Sequence, residues 1–191
     1  MILLITVALA AVSPPDLETL LPRLEASQKK ITALSGEFTQ RNRLKLFKQK
    51  LKSKGRFSFQ TPRKIRWEYL DPDPSTMTLD GNTATLSTPG APPKVFDLAT
   101  DATMRAVFDQ LLLFFGGGDL TRAKTDYSLT TSGTPDTPTL ILTPLPTSPI
   151  AKAFQKIELR VDGKTMLLRS ILLIEKSGDE KEITFTKLTK Q

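Results

Sequence analysis

Apolar residues change their spacing several times along this chain. Near the N-terminus they recur on one helical face, continued more loosely at the end: Leu17, Leu20, Leu21, Leu24, Ile31 and Leu34. Pro22 lies within this segment and predicts either a kink or a helix whose regular part follows it. The spacing therefore predicts an amphipathic helix over residues 17–34, whose apolar stripe covers another part of the fold.

From Gly36 onwards the spacing changes to two, which is the period of a β-strand. One predicted ribbon has a basic side made of Lys48, Lys50, Lys52, Lys54 and Arg56. Its other side carries Leu51, Gly55, Phe57 and Phe59. Further strands are predicted around residues 38–40, 65–69 and 76–79, the last of them ending at an Asp80-Gly81 hairpin turn. Short turns between successive strands predict antiparallel pairing.

A second helix interrupts the strand pattern at residues 102–115. Its apolar stripe follows helical spacing: Met104, Val107, Phe108, Leu111, Leu112 and Phe115. Three glycines at 116–118 are expected to end it. The Thr- and Pro-rich segment 130–149 predicts one strand, at 139–143, and loops elsewhere. Three last strands are predicted at 156–161, 166–175 and 182–188.

These elements predict an α+β fold in one domain. An antiparallel sheet with one apolar face either closes into a barrel or curls so that helices cover its open side. The spacing of the residues leaves these two arrangements open. Both arrangements enclose a concave apolar interior, and such interiors bind acyl chains and other apolar ligands.

Composition and charge remove several functions. The chain has 191 residues with neither histidine nor cysteine, which excludes His bases, Cys nucleophiles and thiolate metal sites. Its formal charge of +7 leaves phosphates, lipid head groups and acidic proteins open as partners. Asp71 and Asp73 each precede a proline and favour a turn over a metal pair. Glu68 and Asp80 share no predicted cleft, so an enzyme is not expected.

The N-terminal apolar run at residues 2–12 is too short to span a bilayer core of about 30 Å. Small residues at Ala8 and Ala10, or at Ala11 and Ser13, offer signal-peptide cleavage patterns. We therefore expect residues 1–13 to be a signal peptide and residues 14–191 to form the mature domain. The mature protein is then exported.

The basic stripe from Lys45 to Arg56 has several interpretations. Alternate lysines on an edge strand protect a sheet against unwanted pairing. The same stripe can dock to an acidic partner or an anionic membrane surface. Nucleic acid is not expected, since the stripe's own strand carries aromatic residues only beyond it, at Phe57 and Phe59.

Several motifs together resemble the LolA family of periplasmic outer-membrane lipoprotein carriers. They are Phe38-Thr39-Gln40, Gly55-Arg56-Phe57-Ser58-Phe59 with Pro62, Arg66-Trp67-Glu68-Tyr69 with Pro72, Asp80-Gly81, Leu111-Leu112 with Gly116 to Leu120, and Leu142-Thr143-Pro144. The resemblance implies a strongly curved antiparallel sheet that forms an unclosed β-barrel, with the two apolar-faced helices as a lid. It also implies a monomeric carrier without a cofactor, which shuttles the acyl chains of lipoproteins from the inner to the outer membrane. It implies an inner-membrane ABC transporter as donor, and an outer-membrane receptor or the membrane surface as acceptor.

The same resemblance leads to a set of site residues. Those expected to line the lipid cavity are Phe38, Phe57, Phe59, Ile65, Trp67, Tyr69, Met77, Leu79, Met104, Phe108, Leu111 and Phe115. Typical members carry an arginine just before the proline of the aromatic block, where this chain has Thr61. We therefore assign Arg63 and Arg66, with Leu20 and Leu24, to the lid and its gating.

The residues also leave other functions open. The same fold suits a binder, sensor or carrier of another amphiphile, such as a glycolipid. A basic surface-binding module and a hydrolase using Ser or Lys are the alternatives of other classes. Copurified lipid would support the carrier, and salt-sensitive retention on an anionic polymer would support the surface-binding module. Turnover of an ester would support the hydrolase.

Overall fold

A computed structural model describes residues 13–46, 49–115 and 123–191. Within these ranges the helices are α1 (Leu17–Gln28), α2 (Ala102–Phe115), α3 (Ala123–Asp126) and a short 3₁₀ helix at Pro149–Lys152. The strands are β1 (Ala33–Leu44), β2 (Gln49–Gln60), β3 (Lys64–Asp71), β4 (Ser75–Asp80), β5 (Thr83–Ser87), β6 (Lys94–Asp97), β7 (Tyr127–Thr134), β8 (Thr137–Pro144), β9 (Phe154–Val161), β10 (Leu168–Glu175) and β11 (Glu180–Lys190). The predicted signal segment at 2–12, Lys48 and the glycines at 116–118 lie outside the described residues.

All of these strands form one antiparallel sheet of 11 strands, in the order β6-β5-β4-β3-β2-β1-β11-β10-β9-β8-β7. The first and last strands pair near the middle of the sheet, where Phe38 lies opposite Phe185. The edge strands β6 and β7 do not pair with each other, so the curved sheet stays open. The predicted fold class is confirmed.

The first helix is shorter than the sequence predicts. It runs from Leu17 to Gln28 and includes Pro22, which faces solvent. Ile31 and Leu34 are buried, but Leu34 belongs to β1 and not to the helix. The prediction of a helix to residue 34 was wrong. The spacing of three residues between Ile31 and Leu34 fits a helix, but it also fits a turn that leads into a strand.

The second helix and the hairpin signal are confirmed. Helix α2 has the predicted bounds, and Gly81 adopts a left-handed φ of 59° between β4 and β5. The predicted loop before residue 139 was wrong, since residues 127–134 form β7, paired with β8. Strand β10 begins two residues later than predicted because Met166 has a φ of 57°, which is not a strand conformation.

The core lies between one face of the sheet and the helices α1 and α2. The helices contribute buried leucines and phenylalanines, among them Leu20, Leu24, Phe108, Leu112 and Phe115. No helix in the described part of the chain has the length and apolar character needed to cross a membrane. The face of the sheet that meets the helices is called the inner face below.

Candidate functional site

An aromatic cluster occupies the inner face of β1, β2 and β3. The alternation of each strand brings Phe38, Phe57, Trp67 and Tyr69 to this face, while the residues between them point away. The Phe38 ring stacks on Trp67 with centroids 4.2 Å apart, and Tyr69 meets Phe38 edge-on at 5.3 Å. Such pairs add about 0.5–1.5 kcal/mol each beyond burial.

Gly55 permits this stacking. A Cβ atom at Gly55 would lie 2.4 Å from Cζ of Phe38 and 2.0 Å from the carbonyl oxygen of Glu68. The Phe38 ring therefore lies directly over the backbone of β2. This explains why the aromatic block of the sequence contains a glycine inside a strand, where glycine is otherwise unfavourable.

Helix α2 joins the aromatic cluster through Phe115. The Phe115 ring stacks on Phe57 at 4.8 Å and meets Phe185 of β11 edge-on at 5.5 Å. Phe115 is 2% exposed, so the last turn of α2 is seated in the cluster. The helix and the sheet thus share one apolar interface.

The structure brings the predicted lining residues together in one hydrophobic cluster. Those that are buried are Phe38, Phe57, Phe59, Ile65, Trp67, Leu79, Phe108 and Phe115. Those that are half-buried against it are Tyr69, Met77, Met104 and Leu111. Their position in one cluster fits a binding surface and a plain core equally, so the lining role stays a prediction.

Sequence reasoning missed the second half of this surface. The inner faces of β8, β9 and β11 add Leu140, Leu142, Ile157, Leu159 and Phe185, all buried in the same cluster. The signal was available, since each of these strands shows apolar residues at a spacing of two. Their pairing with the aromatic strands depends on the contact between β1 and β11, which is distant in sequence.

Among the described residues, little free space lies between the helices and the inner face of the sheet. A cavity of about 20 Å³ lies between Leu24 of α1, Phe114 and Phe115 of α2, and Leu140 and Leu159 of the sheet. This space holds about one water molecule, whereas sites for small organic ligands measure about 300–1,000 Å³. An acyl chain can therefore enter this space only if a covering element moves.

A chain of three hydrogen-bonded polar side chains lies beside the aromatic cluster on the inner face. The Tyr69 hydroxyl donates to Oε1 of Gln40 at 2.9 Å, and Nε2 of Gln40 donates to Oδ1 of Asn42 at 3.1 Å. Burial raises the pKa of Tyr69 above its ordinary value. These hydrogen bonds satisfy the polar atoms that the cluster would otherwise leave unpaired.

Helix α1 is held by polar contacts to two other parts of the fold. Arg23 Nη2 donates to the carbonyl of Gly163 at 2.8 Å, and the Ser27 hydroxyl donates to the carbonyl of Thr165 at 3.2 Å. Just before the helix, the Thr131 hydroxyl of β7 donates to the carbonyl of Pro15 at 2.6 Å. Because Gly163 and Thr165 belong to the turn between β9 and β10, these bonds fix α1 over the second half of the sheet.

Helix α2 has a single ion pair with the sheet side among the described residues. Arg63, in the turn before β3, places Nη2 3.1 Å from Oδ1 of Asp109 and donates through Nε to the carbonyl of Gly81 at 3.2 Å. Near the other end of α2, Nε2 of Gln28 donates to the carbonyl of Leu113 at 3.3 Å. The rest of the described attachment of α2 is apolar packing.

The two arginines predicted for gating lie in different places. Arg63 contacts α2, as a lid residue would. Arg66 lies on the outer face of β3, because it alternates with the inward Ile65 and Trp67, and it contacts Glu68. This described contact lies on the face away from α2, and the gating role of Arg66 stays a prediction. Leu20 and Leu24 are fully buried on α1.

The outer face carries the charged groups. Arg56 and Arg66 both hydrogen-bond to the carboxylate of Glu68, and the bond from Arg56 is the main cause of a pKa of Glu68 below its usual range. Asp80 pairs instead with Lys64 at 3.2 Å. Glu68 and Asp80 thus act as separate ion-pair partners. In the ranges that the structure covers, no group of acidic residues is arranged to hold a metal.

Comparisons with known proteins identify relatives of this fold. The family model described as outer membrane lipoprotein carrier protein LolA matches residues 29–191. Comparison with curated protein sequences gives no match. A crystal structure of MucB superposes with a TM-score of 0.51 at 20% identity, covering 91% of this chain and 58% of MucB.

Two further solved structures match this chain. Pseudomonas aeruginosa MucB in complex with MucA gives a TM-score of 0.50 at 19% identity, over 89% of this chain and 55% of the other. A LolA superfamily protein from Nitrosomonas europaea gives 0.47 at 12% identity, over 95% and 94% of the two chains. The chain therefore spans little more than half of the MucB chains.

Proposed function

Because this chain belongs to the LolA family of outer membrane lipoprotein carrier proteins, we propose that it binds the acyl chains of lipoproteins between α2 and the inner face of the sheet. It then carries them through the periplasm from the inner to the outer membrane. The observation that supports this most directly is a continuous apolar surface under a helix whose described polar attachments are one ion pair and one side-chain hydrogen bond.

Binding begins with movement of α2. When the helix lifts, Phe115 leaves its stack on Phe57, and the inner faces of both halves of the sheet become accessible. The acyl chain then takes the place of Phe115 and its neighbours. Helix α1 stays in place, because two hydrogen bonds from the helix and one to Pro15 just before it hold it to the second half of the sheet.

The closed form makes release possible. Each buried methylene contributes about 0.8 kcal/mol, so an empty apolar cavity would hold long acyl chains very tightly. Here the helix covers the same surface when cargo is absent, so binding exchanges one set of apolar contacts for another. The net affinity is the difference between the two sets, and handover costs correspondingly little.

The proposal assigns roles to the predicted residues. The lining residues on β1 to β4 and on α2 contact the acyl chains, and Phe185 with the leucines of β8 and β9 extends the surface. Arg63 and Asp109 hold α2 closed, whereas Leu20 and Leu24 belong to the fixed helix. An inner-membrane ABC transporter supplies the cargo, and an outer-membrane receptor or the membrane itself accepts it.

The proposal also includes the boundaries of the mature protein. Residues 1–13 act as a cleaved signal peptide, and residues 14–191 act as one non-enzymatic carrier domain. The expected mature N-terminus lies between Ala11 and Pro15. N-terminal sequencing of the protein from a native periplasmic fraction checks this, and Met1 retained on a cytoplasmic protein would contradict it.

Trp67 is the natural reporter of acyl binding, since it is the only tryptophan of the chain and lies in the aromatic cluster. We expect a synthetic triacylated lipopeptide to shift Trp67 fluorescence in a saturable way, and the same peptide without acyl chains to leave it unchanged. The variant Trp67→Phe controls for signal from the ligand. A glycolipid that binds while the lipopeptide does not would support another amphiphile as cargo, and binding of neither would leave these residues as core.

A further inference from the structure

The distal halves of β1 and β2 form a hairpin arm with unusual charge placement. We call residues 41–46 and 50–54 the basic arm. Arg41 lies directly opposite Lys52, and Arg43 lies directly opposite Lys50, all on the outer face. Like charges directly opposite each other in an antiparallel pair are destabilising. The fold thus keeps two repulsive pairs side by side.

Part of this charge has no counterion among the residues that the structure describes. Arg41 and Arg43 contact Glu182 and Glu180 of β11. Lys50, Lys52 and Lys54 are exposed, and among the described residues none of the three forms an ion pair. The basic arm therefore presents a local positive surface that an anionic partner would neutralise.

The basic arm also exposes leucines. Leu46 at its end is 89% exposed, and Leu51 is 44% exposed. Leu44 and Leu51 lie on the inner-facing side, opposite to the lysines, because residues alternate along each strand. The arm thus has one cationic side, one more apolar side and an apolar tip.

Edge protection explains only part of this arrangement. Strand β3 ends at Asp71, opposite Lys54, so residues 50–53 of β2 have β1 as a neighbour on one side and no strand of the described sheet on the other. Lysines on such an edge prevent unwanted pairing. Edge protection does not require leucine. The exposed side chains of Leu46 and Leu51, close to the lysines, would instead favour association with another apolar surface.

We propose that the basic arm docks the protein on the surface of an anionic phospholipid bilayer. Leu46 enters the interface between head groups and acyl chains, and the lysines stay among the phosphates, as in other amphipathic interfacial elements. An acidic protein would satisfy the lysines without a need for the apolar tip. Docking on a membrane depends on the basic arm only, so its test is independent of the test of the proposed cargo.

Vesicle flotation with the mature protein tests this. We expect binding to vesicles of phosphatidylcholine with phosphatidylglycerol, weak binding to pure phosphatidylcholine, and loss of binding as salt is raised. The triple variant Lys50→Gln, Lys52→Gln, Lys54→Gln should bind at least tenfold more weakly. The matched control Lys29→Gln, Lys30→Gln, Lys94→Gln removes the same charge from exposed positions outside the arm and should bind nearly as the parent does.

A label at the tip locates the contact. The chain has no cysteine, so Leu46→Cys carries a single environment-sensitive fluorophore, and Val95→Cys on β6, which is 66% exposed in the parent, is its control. We expect a blue shift with anionic vesicles at residue 46 only. Equal losses in the two triple variants, equal binding to neutral vesicles, or retention on an acidic protein without vesicle binding would each overturn the proposal. Acyl-ligand binding by Trp67 fluorescence reports on the cargo proposal independently.

Discussion

The guanidinium of Arg63 lies 3.1 Å from the carboxylate of Asp109, so the turn before β3 is tied to the middle of α2. Both side chains are partly exposed, and pairs of this kind contribute only about 0–1 kcal/mol to stability. Such a contact is too weak to define the fold. It is strong enough to bias a helix between two positions that differ by a few kcal/mol.

Breaking this pair should favour opening. We expect Arg63→Ala and Asp109→Ala each to lower the free energy of unfolding by at most about 1 kcal/mol and to speed acyl-ligand association. The effects should not add in the double variant, because both remove the same contact. Lys64→Ala, which breaks the neighbouring pair with Asp80, is the control and should leave association unchanged. Stopped-flow Trp67 fluorescence measures the rates of acyl-ligand association. Equal effects of all three substitutions on these rates would argue that the Arg63–Asp109 pair does not hold α2 closed.

Substitutions of two adjacent leucines on α2 distinguish a role in core packing from a role in cargo contact. Leu112 is 1% exposed and Leu111 is only half-buried. We expect Leu112→Ala to cost about 2–5 kcal/mol of stability, as large-to-small core changes do. Leu111→Ala should cost less and weaken acyl retention. Denaturant unfolding and ligand dissociation rates measure the two effects. A loss of several kcal/mol in Leu111→Ala with unchanged retention would mean that α2 is structural and that the gate lies elsewhere.

The contact between Gly55 and Phe38 predicts a severe packing defect. Gly55→Ala places a Cβ against Phe38 and against the backbone of β3, so we expect a loss of roughly 1–3 kcal/mol or more. Ser53→Ala, two residues away on the same face of β2, should change the stability little. Thermal unfolding with near-ultraviolet circular dichroism follows both the stability and the aromatic packing. A Gly55→Ala protein as stable as the parent would show that the Phe38 ring can move aside freely.

The lowered pKa of Glu68 predicts acid sensitivity. A carboxyl group whose pKa is lower in the folded state stabilises the protein above its unfolded pKa of about 4.3, and this contribution disappears as the pH falls through the folded value. We expect Arg56→Gln to bring the pKa of Glu68 closer to normal and to move acid unfolding to higher pH. Arg41→Gln, which removes an exposed partner of Glu182, is the control. Identical acid-unfolding midpoints for all three proteins would contradict this account.

Much of the architecture follows from local patterns. The bounds of α2, the turn at Gly81 and the alternation through Phe57 and Trp67 can all be predicted, because each depends on residues close together in sequence. Strand β7 could not, since Tyr127 and Leu129 are its only large apolar residues among threonines and serines. The pairing of β1 with β11 also escapes prediction, because no local pattern encodes contacts between the two ends of a chain.

The candidate site also combines features that local sequence predicts with features that depend on distant contacts. Its lining residues can be chosen from their alternation, but the closed interior cannot, since filling depends on how Phe115 meets Phe57 after folding. The lid role predicted for Arg66 depends on its nearness in sequence to Thr61, where typical family members carry an arginine. One residue of strand register places Arg66 on the opposite face of the sheet, which only the pairing of β3 with its neighbours reveals.

Movement of α2 is the central claim, and a distance measurement tests it most directly. With no native cysteine, spin labels at Arg105→Cys on α2 and Thr184→Cys on the outer face of β11 report that distance by pulsed electron paramagnetic resonance. A second pair, Ala26→Cys on α1 with Thr184→Cys, serves as the reference. Addition of a triacylated lipopeptide should shift or broaden the first distance distribution and leave the second unchanged. If Trp67 fluorescence shows that the lipopeptide is bound while the α2 distance stays the same, or if only α1 moves, the proposed mechanism is contradicted.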